Sequence, residues 1–290
     1  MLSILSLTYN RPELTISCME SLWKYYRKEF ESGEFEYIVM DNDSPDGAYE
    51  VMKKEFKKYK NVHVYESGHN GGFGFGYNRA VEKAKGDYIV LLNNDSYLED
   101  NSLSSMYEYL VNNPDIGLLG GKIKNENGTL QVSTGKFYTL WSVLEYQLGM
   151  QRLDGFQKTA DTIHPVDWLK GAFLMMKKET YQKIGGFDEK IFMYEEDVDF
   201  NYRAMKLGFS RIYYPQAHIV HRDYGSSNRT FAIVNIYKNL PYLFKKHYSL
   251  PEYIVVRMLL KTKAAILIGV GRILGNKYLY QTYEKAFWMA

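Results

Sequence analysis

The chain has 290 residues, 46% of them apolar, which is ample for one large core or for a core domain with an appendage. Its 36 basic and 34 acidic residues leave a formal charge of +2, which excludes a nucleic-acid binder relying on phosphate neutralisation over a broad face, so any polyanion it holds is small and local. A single cysteine, Cys18, excludes an intrachain disulfide and a cysteine zinc site and favours a reducing compartment.

The first ten residues lack a basic region and a small-residue cleavage site, so they read as a first strand and not as a secretion signal. A cytoplasmic protein is expected. Up to about residue 122, apolar strand signals at 3–8, 37–40, 62–65, 88–92 and 116–120 alternate with helical patterns over 13–26, 48–59, 75–85 and 102–112. Ser102 starts the last of these helices and Pro114 stops it. The alternation is the signature of a parallel α/β sheet, in which ligands sit beyond the carboxyl ends of the strands. Polar clusters fall at those ends: Thr8-Tyr9-Asn10-Arg11, Asp41-Asn42-Asp43-Ser44, His69-Asn70-Gly71-Gly72 and Asn93-Asn94-Asp95.

Beyond residue 122 the regularity stops. Asn127-Gly128 signals a hairpin, 137–146 is rich in aromatic residues, and 166–176 reads as a buried strand; this half is expected to build the second wall of a cleft. The Gly-Gly-Phe-Asp turn ending at Asp188 is followed by four carboxylates in five positions, Glu195, Glu196, Asp197 and Asp199. A helical pattern in which Val198, Tyr202 and Met205 share a face puts Glu196 and Asp197 near a helix N-terminus. Charge is favoured there by the helix dipole even without a function, so the run by itself is also consistent with solvated charge. From Thr230 onward helical periodicity returns in pieces broken near Pro251 and Gly275. Residues 251–290 hold six Lys or Arg against two Glu with apolar residues between them, a pattern that suits an anionic membrane surface, packing on the catalytic domain, or a homodimer through these C-terminal helices. The longest uncharged stretch there, 264–271, is far short of the roughly 20 apolar residues of a spanning helix.

Asp41 ends a buried strand where a carboxylate can accept a hydrogen bond from a base or ribose, or can close an Asx turn before the next helix. The glycines at 71, 72, 74 and 76 do not fit a dinucleotide fingerprint, because Tyr77 stands at its third glycine; a close backbone approach to a ligand or a plain turn accounts for them. Asp95 places one hard oxygen ligand at the sheet edge, where magnesium or manganese would be held mainly through water and substrate phosphates. His218 or His221, after a strand at 211–214, could add an imidazole.

In this order and spacing, Thr8-Tyr9-Asn10-Arg11, Asp41 to Ser44, Asn70-Gly71-Gly72, Gly76-Tyr77-Asn78, Leu92-Asn93-Asn94-Asp95, Gly171-Ala172-Phe173, Gly185 to Glu189 and Glu195-Glu196-Asp197 resemble family 2 glycosyltransferases of the GT-A fold, over roughly residues 2–225. The resemblance implies an α/β GT-A-type (Rossmann-like) mixed sheet flanked by helices, with a catalytic domain over 1–228 (nucleotide-binding half 1–122, acceptor-binding half 123–228) and a helical C-terminal extension over 229–290. It implies an inverting enzyme that moves a sugar from a nucleotide-diphosphate donor to a hydroxyl of a glycan or lipid-linked acceptor, with Mg2+ or Mn2+ as cofactor. Carried over residue by residue, it makes Asp197 the catalytic base, sets Thr8, Asn10, Arg11, Asp41, Gly72, Asn78, Asn93 and Asn94 around the donor, makes Asp188 and Glu196 acceptor contacts, and makes Asp95 and His221 metal ligands. Asn93 departs from the common pattern by replacing the first aspartate of the D-x-D motif, as in rhamnosyltransferase-like members, which implies dTDP-rhamnose ahead of a UDP-hexose. A sugar-1-phosphate nucleotidyltransferase lacks support, since Thr8 to Pro12 is not a basic glycine-rich loop; a non-catalytic nucleotide-sugar or glycan binder would have no need of Asp197.

Overall fold

All seven residues of Phe35–Asp41 (β2) are buried, the pattern of a strand covered on both faces. In Leu2–Thr8 (β1) successive side chains enter different cores: Leu2 and Ile4 pack with Cys18, Met19 and Met106, whereas Leu5 packs with Tyr77, Ala80 and Phe200. The computed structural model describes residues 1–149, 161–222 and 228–290. These fall into two compact units, one of residues 1–136, 161–192 and 196–222, the other of 137–149, 193–195 and 228–290.

In the first unit β1 pairs in parallel with β2 and with Tyr88–Leu92 (β4), and β2 pairs in parallel with Val62–Glu66 (β3). The sheet is mixed. Phe173–Lys177 (β11) inserts antiparallel between β4 and Leu118–Lys124 (β6), and Arg211–His221 (β12) runs parallel to β6 and antiparallel to Ser96–Tyr97 (β5). Helices Pro12–Ser32 (α1), Ala48–Glu55 (α2) and Ser102–Asn112 (α4) supply side chains to one core; Phe73–Lys83 (α3), Lys178–Ile184 (α6) and Glu196–Lys206 (α7) supply the other. The Asn127-Gly128 hairpin forms between β6 and Leu130–Gln131 (β7).

Three sequence expectations are corrected. The strand expected over 166–176 is two, Trp168–Leu169 (β10) and β11, interrupted where Gly171 meets Asp197: a Cβ on Gly171 would lie 2.6 Å from Asp197 Oδ1. The helix expected over 48–59 ends at Glu55, and Phe56–Lys58 form a 3-10 turn. On α7 the buried face carries Val198, Phe200, Asn201 and Ala204, while Tyr202 and Met205 are only half-buried. Asn201 is the reason: its Oδ1 accepts from Leu169 N (3.1 Å) and its Nδ2 donates to Leu169 O (3.0 Å), tying the helix to the end of β10. The short strands Thr134–Gly135 (β8) and His164–Pro165 (β9) pair with β10 and β12.

The second unit is helical: Leu140–Leu148 (α5), Arg229–His247 (α8), Leu250–Ile273 (α9) and Lys277–Met289 (α10). Ser249 and Glu252 form a capping box, and Pro251 sits in the first turn of α9, where its missing N–H costs nothing. Gly275, at φ +66°, turns the chain into α10. Asn239 Nδ2 donates to the carbonyls of Met193 (2.8 Å) and Tyr194 (3.1 Å), and Tyr138 Oη donates to Glu195 Oε1 (3.1 Å). These bonds hold Tyr194 and Glu195 in left-handed backbone, φ +67° and +73°. Among the described residues no helix is long and apolar enough to cross a membrane.

Candidate active site

Asn10 and Arg11 leave β1 with φ near +60°, and the turn is fixed from the neighbouring strand's loop: Asn10 N donates to Ser44 Oγ (2.7 Å) and Arg11 N to Asp46 Oδ2 (2.9 Å). Ser44 in turn donates to both oxygens of Asp41, from N (3.0 Å) and Oγ (2.6 Å). Burial pushes the Asp41 carboxyl above its ordinary range, and the Ser44 bonds oppose that shift. Asn42 ties this loop to the next, donating to Asn70 Oδ1 (2.9 Å) and Gly72 O (3.2 Å). Behind it, Thr15 Oγ1 donates to Thr8 Oγ1 (3.1 Å), and Asn94 Nδ2 donates to both hydroxyls. Within this group Asn10 Oδ1 is buried and has no hydrogen-bond partner among the described residues.

At the end of β4 the arrangement differs. Pairing of His221 with Ser96 brings β12 beside the Asn93-Asn94-Asp95 turn, so Asp95 Oδ1 lies 3.0 Å from His221 Nε2 and Asn93 Nδ2 lies 3.1 Å from the same atom. His218 points elsewhere, towards Glu99 and Asp100. An Nε2–H would donate to the carboxylate at 3.0 Å, whereas a bare Nε2 lone pair needs a cation between it and the carboxylate, and adjacent ligands of an octahedral ion with bonds of about 2.1 Å stand about 3 Å apart. The pair therefore fits a divalent cation. Among the described residues no group of three His, Cys, Asp or Glu could enclose one, so an ion there would need water or phosphate oxygens as further ligands.

The four carboxylates before and within α7 part company. Asp199 is fully buried and bonded to Arg203 Nε at 2.8 Å, and Glu195 accepts from Tyr138. Glu196 is 6% exposed. Asp197 has a buried Oδ1 with no hydrogen-bond partner among the described residues. Burial pushes its carboxyl up to about 6, with the Gly171 amide and Lys170 pulling in the other direction.

The remaining expected site residues are bound into the scaffold. Asn78 commits its whole amide to the following turn, accepting from Tyr181 Oη (2.6 Å) and Phe187 N (2.9 Å) and donating to Phe187 O and Glu189 Oε1. The close approach that requires Gly72 is to the Phe192 backbone, whose oxygen a Cβ would meet at 2.1 Å. Asp188 accepts from Lys190 N (3.0 Å) and closes its own turn. Sequence reasoning missed Thr15, Gln131 and Asn201. Gln131 Oε1 meets His221 Nδ1 at 2.9 Å, and no motif announces it.

Sheet, helices and site define a GT-A-type α/β transferase fold. The solved structure of GalNAc-T7 with UDP, GalNAc and Mn2+ superposes with a TM-score of 0.65 at 14% identity, over 84% of this chain and 47% of that one. The model of glycosyl transferase family 2 matches residues 3–199, and the chain belongs to that family. It is a glycosyltransferase. An N-acetylglucosaminyl-diphospho-decaprenol L-rhamnosyltransferase of Mycobacterium tuberculosis is 26% identical over 220 residues, 66% of this chain and 68% of that protein. A rhamnosyltransferase of Escherichia coli K12 is 27% identical over 171 residues, 58% of this chain and 64% of that protein.

Proposed function

We propose that the chain transfers a sugar, from dTDP-rhamnose in first place and a UDP-hexose in second, with inversion, to a hydroxyl of a glycan or lipid-linked acceptor in surface polysaccharide assembly. The rhamnosyltransferase names of its relatives support the choice of sugar. The observation that carries the mechanism is Asp197: a carboxylate with an unpartnered buried oxygen and a pKa of about 6 is ionised at neutral pH yet basic enough to take a proton. Asp197 removes the proton of the acceptor hydroxyl as that oxygen bonds to the anomeric carbon. The bond from that carbon to the diphosphate breaks, and its electron pair leaves with the nucleoside diphosphate.

Asp95 and His221 would hold a divalent cation, Mg2+ or Mn2+, which would offset charge on the diphosphate. Asn10, Arg11 and Asp41 contact the nucleoside, and Asn93 lies beside the diphosphate. Thr8, Asn94, Asn78 and Gly72 position these loops, and Asp188 and Glu196 face the acceptor. Residues 1–122 serve the nucleotide, 123–228 the acceptor, and 229–290 form the extension.

The test is Asp197→Asn. Single-turnover transfer falls roughly 10²- to 10⁴-fold, the range of general-base catalysis, while the donor dissociation constant stays within about twofold. Near-normal turnover in the folded variant would remove Asp197 from the role. For the acceptor, the exposed Ile254, Met258, Ile266 and Val270 of α9, together with the basic excess of residues 251–290, fit an anionic bilayer surface. The full chain then sediments with anionic but not neutral vesicles at low salt, and absence of that difference would discard the idea.

A further inference from the structure

Gln131 stands 90 residues from His221, on the far side of the Asn127-Gly128 hairpin. The hairpin sets its place. Asn125 N donates to Thr129 O (2.7 Å), Gly128 takes φ +79°, and Asn127 Oδ1 accepts from Thr129 N (3.1 Å), so Gln131 pairs with Ile123 on β6. On the other side of β6, Lys124 pairs with Val220, which precedes His221.

Three bonds then orient the amide and the imidazole in sequence. Gln131 Nε2 lies 2.9 Å from the His221 carbonyl oxygen and 2.7 Å from Asn125 Oδ1. A backbone carbonyl only accepts, so the NH2 end of the amide must face it and Oε1 must face the ring. Oε1 sits 2.9 Å from His221 Nδ1 and can only accept, so Nδ1 carries the hydrogen. In the neutral ring that leaves the lone pair on Nε2, the atom 3.0 Å from Asp95 Oδ1. The same tautomer lets Asn93 Nδ2 donate to Nε2.

We propose that Gln131 is a positioning residue that fixes His221 as the Nδ1–H tautomer and aims Nε2 at a divalent cation shared with Asp95. The inference rests on the cation reading of the Asp95–His221 pair. Histidines that bind metals through one nitrogen are commonly held through the other, and loss of such a partner costs roughly 10- to 100-fold in metal affinity.

The test titrates Mn2+ into the full chain with dTDP or UDP present, reading free Mn2+ by electron paramagnetic resonance, for Gln131→Met, Gln131→Glu, His221→Ala and Gln131→Met with His221→Ala. Gln131→Met keeps the side-chain volume and lowers Mn2+ affinity by roughly 10- to 100-fold. Gln131→Glu still accepts from Nδ1–H and stays within about threefold of the unmodified chain. The double variant binds no worse than His221→Ala alone, because Gln131 acts through that ring. Melting in EDTA checks that each variant is folded. Equal loss in Gln131→Met and Gln131→Glu, multiplying losses in the double variant, or unchanged binding in Gln131→Met while His221→Ala loses it, each overturns the role of Gln131 alone. Unchanged binding in His221→Ala overturns the cation reading and the role of Gln131 with it.

Discussion

At the carboxyl ends of β1 and β2, Thr8, Asp41 and Asn42 spend their side-chain polar atoms on Thr15, Asn94, Ser44, Ser67, Asn70 and Gly72. At the ends of β4 and β12 and the start of α7, Asp95 Oδ1 faces His221 Nε2 at 3.0 Å, and Asp197 Oδ1 has no partner among the described residues. Both regions are polar, buried and placed by the same sheet. The difference lies in satisfaction: a closed network holds loops in place, whereas a buried acceptor with no donor, such as Asp197 Oδ1, is left to take a proton. Asn10 Oδ1 is the exception in the first region, buried and without a hydrogen-bond partner among the described residues.

The largest effect separating the regions comes from Asp197→Asn, whose loss of transfer is accompanied by a gain in stability. Because the folded pKa of about 6 lies above the ordinary carboxylate value, the stabilising protonated form is lost as pH rises through 6, and a neutral side chain avoids that penalty. Thermal melts at pH 8 should show the variant more stable, by on the order of 1–3 kcal/mol, with the gain shrinking towards pH 5. Equal stability at both values would mean that the charge is not strained. Next, Gly171→Ala puts a methyl carbon into the space of Asp197 Oδ1 and should cost roughly 10- to 100-fold in transfer by displacing the carboxylate, with donor affinity retained. Normal transfer would show that the base tolerates movement.

A smaller effect follows from pH. With Asp197 required unprotonated, kcat/KM measured at pH 5 should be about tenfold below its value at pH 8, falling with unit slope below pH 6. A flat profile down to pH 5 would rule out titration of this group in the free enzyme. The smallest effect on transfer is expected from Thr15→Val, which removes a fully buried hydroxyl bonded to Thr8 and Asn94. Stability should drop by about 1–2 kcal/mol while transfer stays within about twofold. A tenfold loss of donor affinity would instead move Thr8 from the scaffold to the ligand contacts.

Much of the fold was legible because strands 3–8, 37–40, 62–65 and 88–92 are apolar runs bounded by polar turns, and the structure keeps each within two residues. The insertion of β11 between β4 and β6 was not, since a doubly covered strand is apolar in either direction and carries no mark of its neighbour. Nor was the break at Gly171, which depends on Asp197 approaching from 26 residues away in sequence.

Composition and local pattern determined by themselves the α/β class, the helix start at Glu196, the hairpin at Asn127-Gly128 and the family-like order of polar clusters, because these depend on neighbours within a few residues. Only the tertiary structure decided that Asp199 pairs with Arg203 while Asp197 keeps a buried oxygen with no hydrogen-bond partner among the described residues, which of His218 and His221 meets Asp95, and that Gln131 holds that histidine. Those outcomes depend on burial and on partners 90 to 128 residues away or, for Asp199, one helical turn along, and a side chain's electrostatic state follows from the groups that surround it and not from its place in the chain.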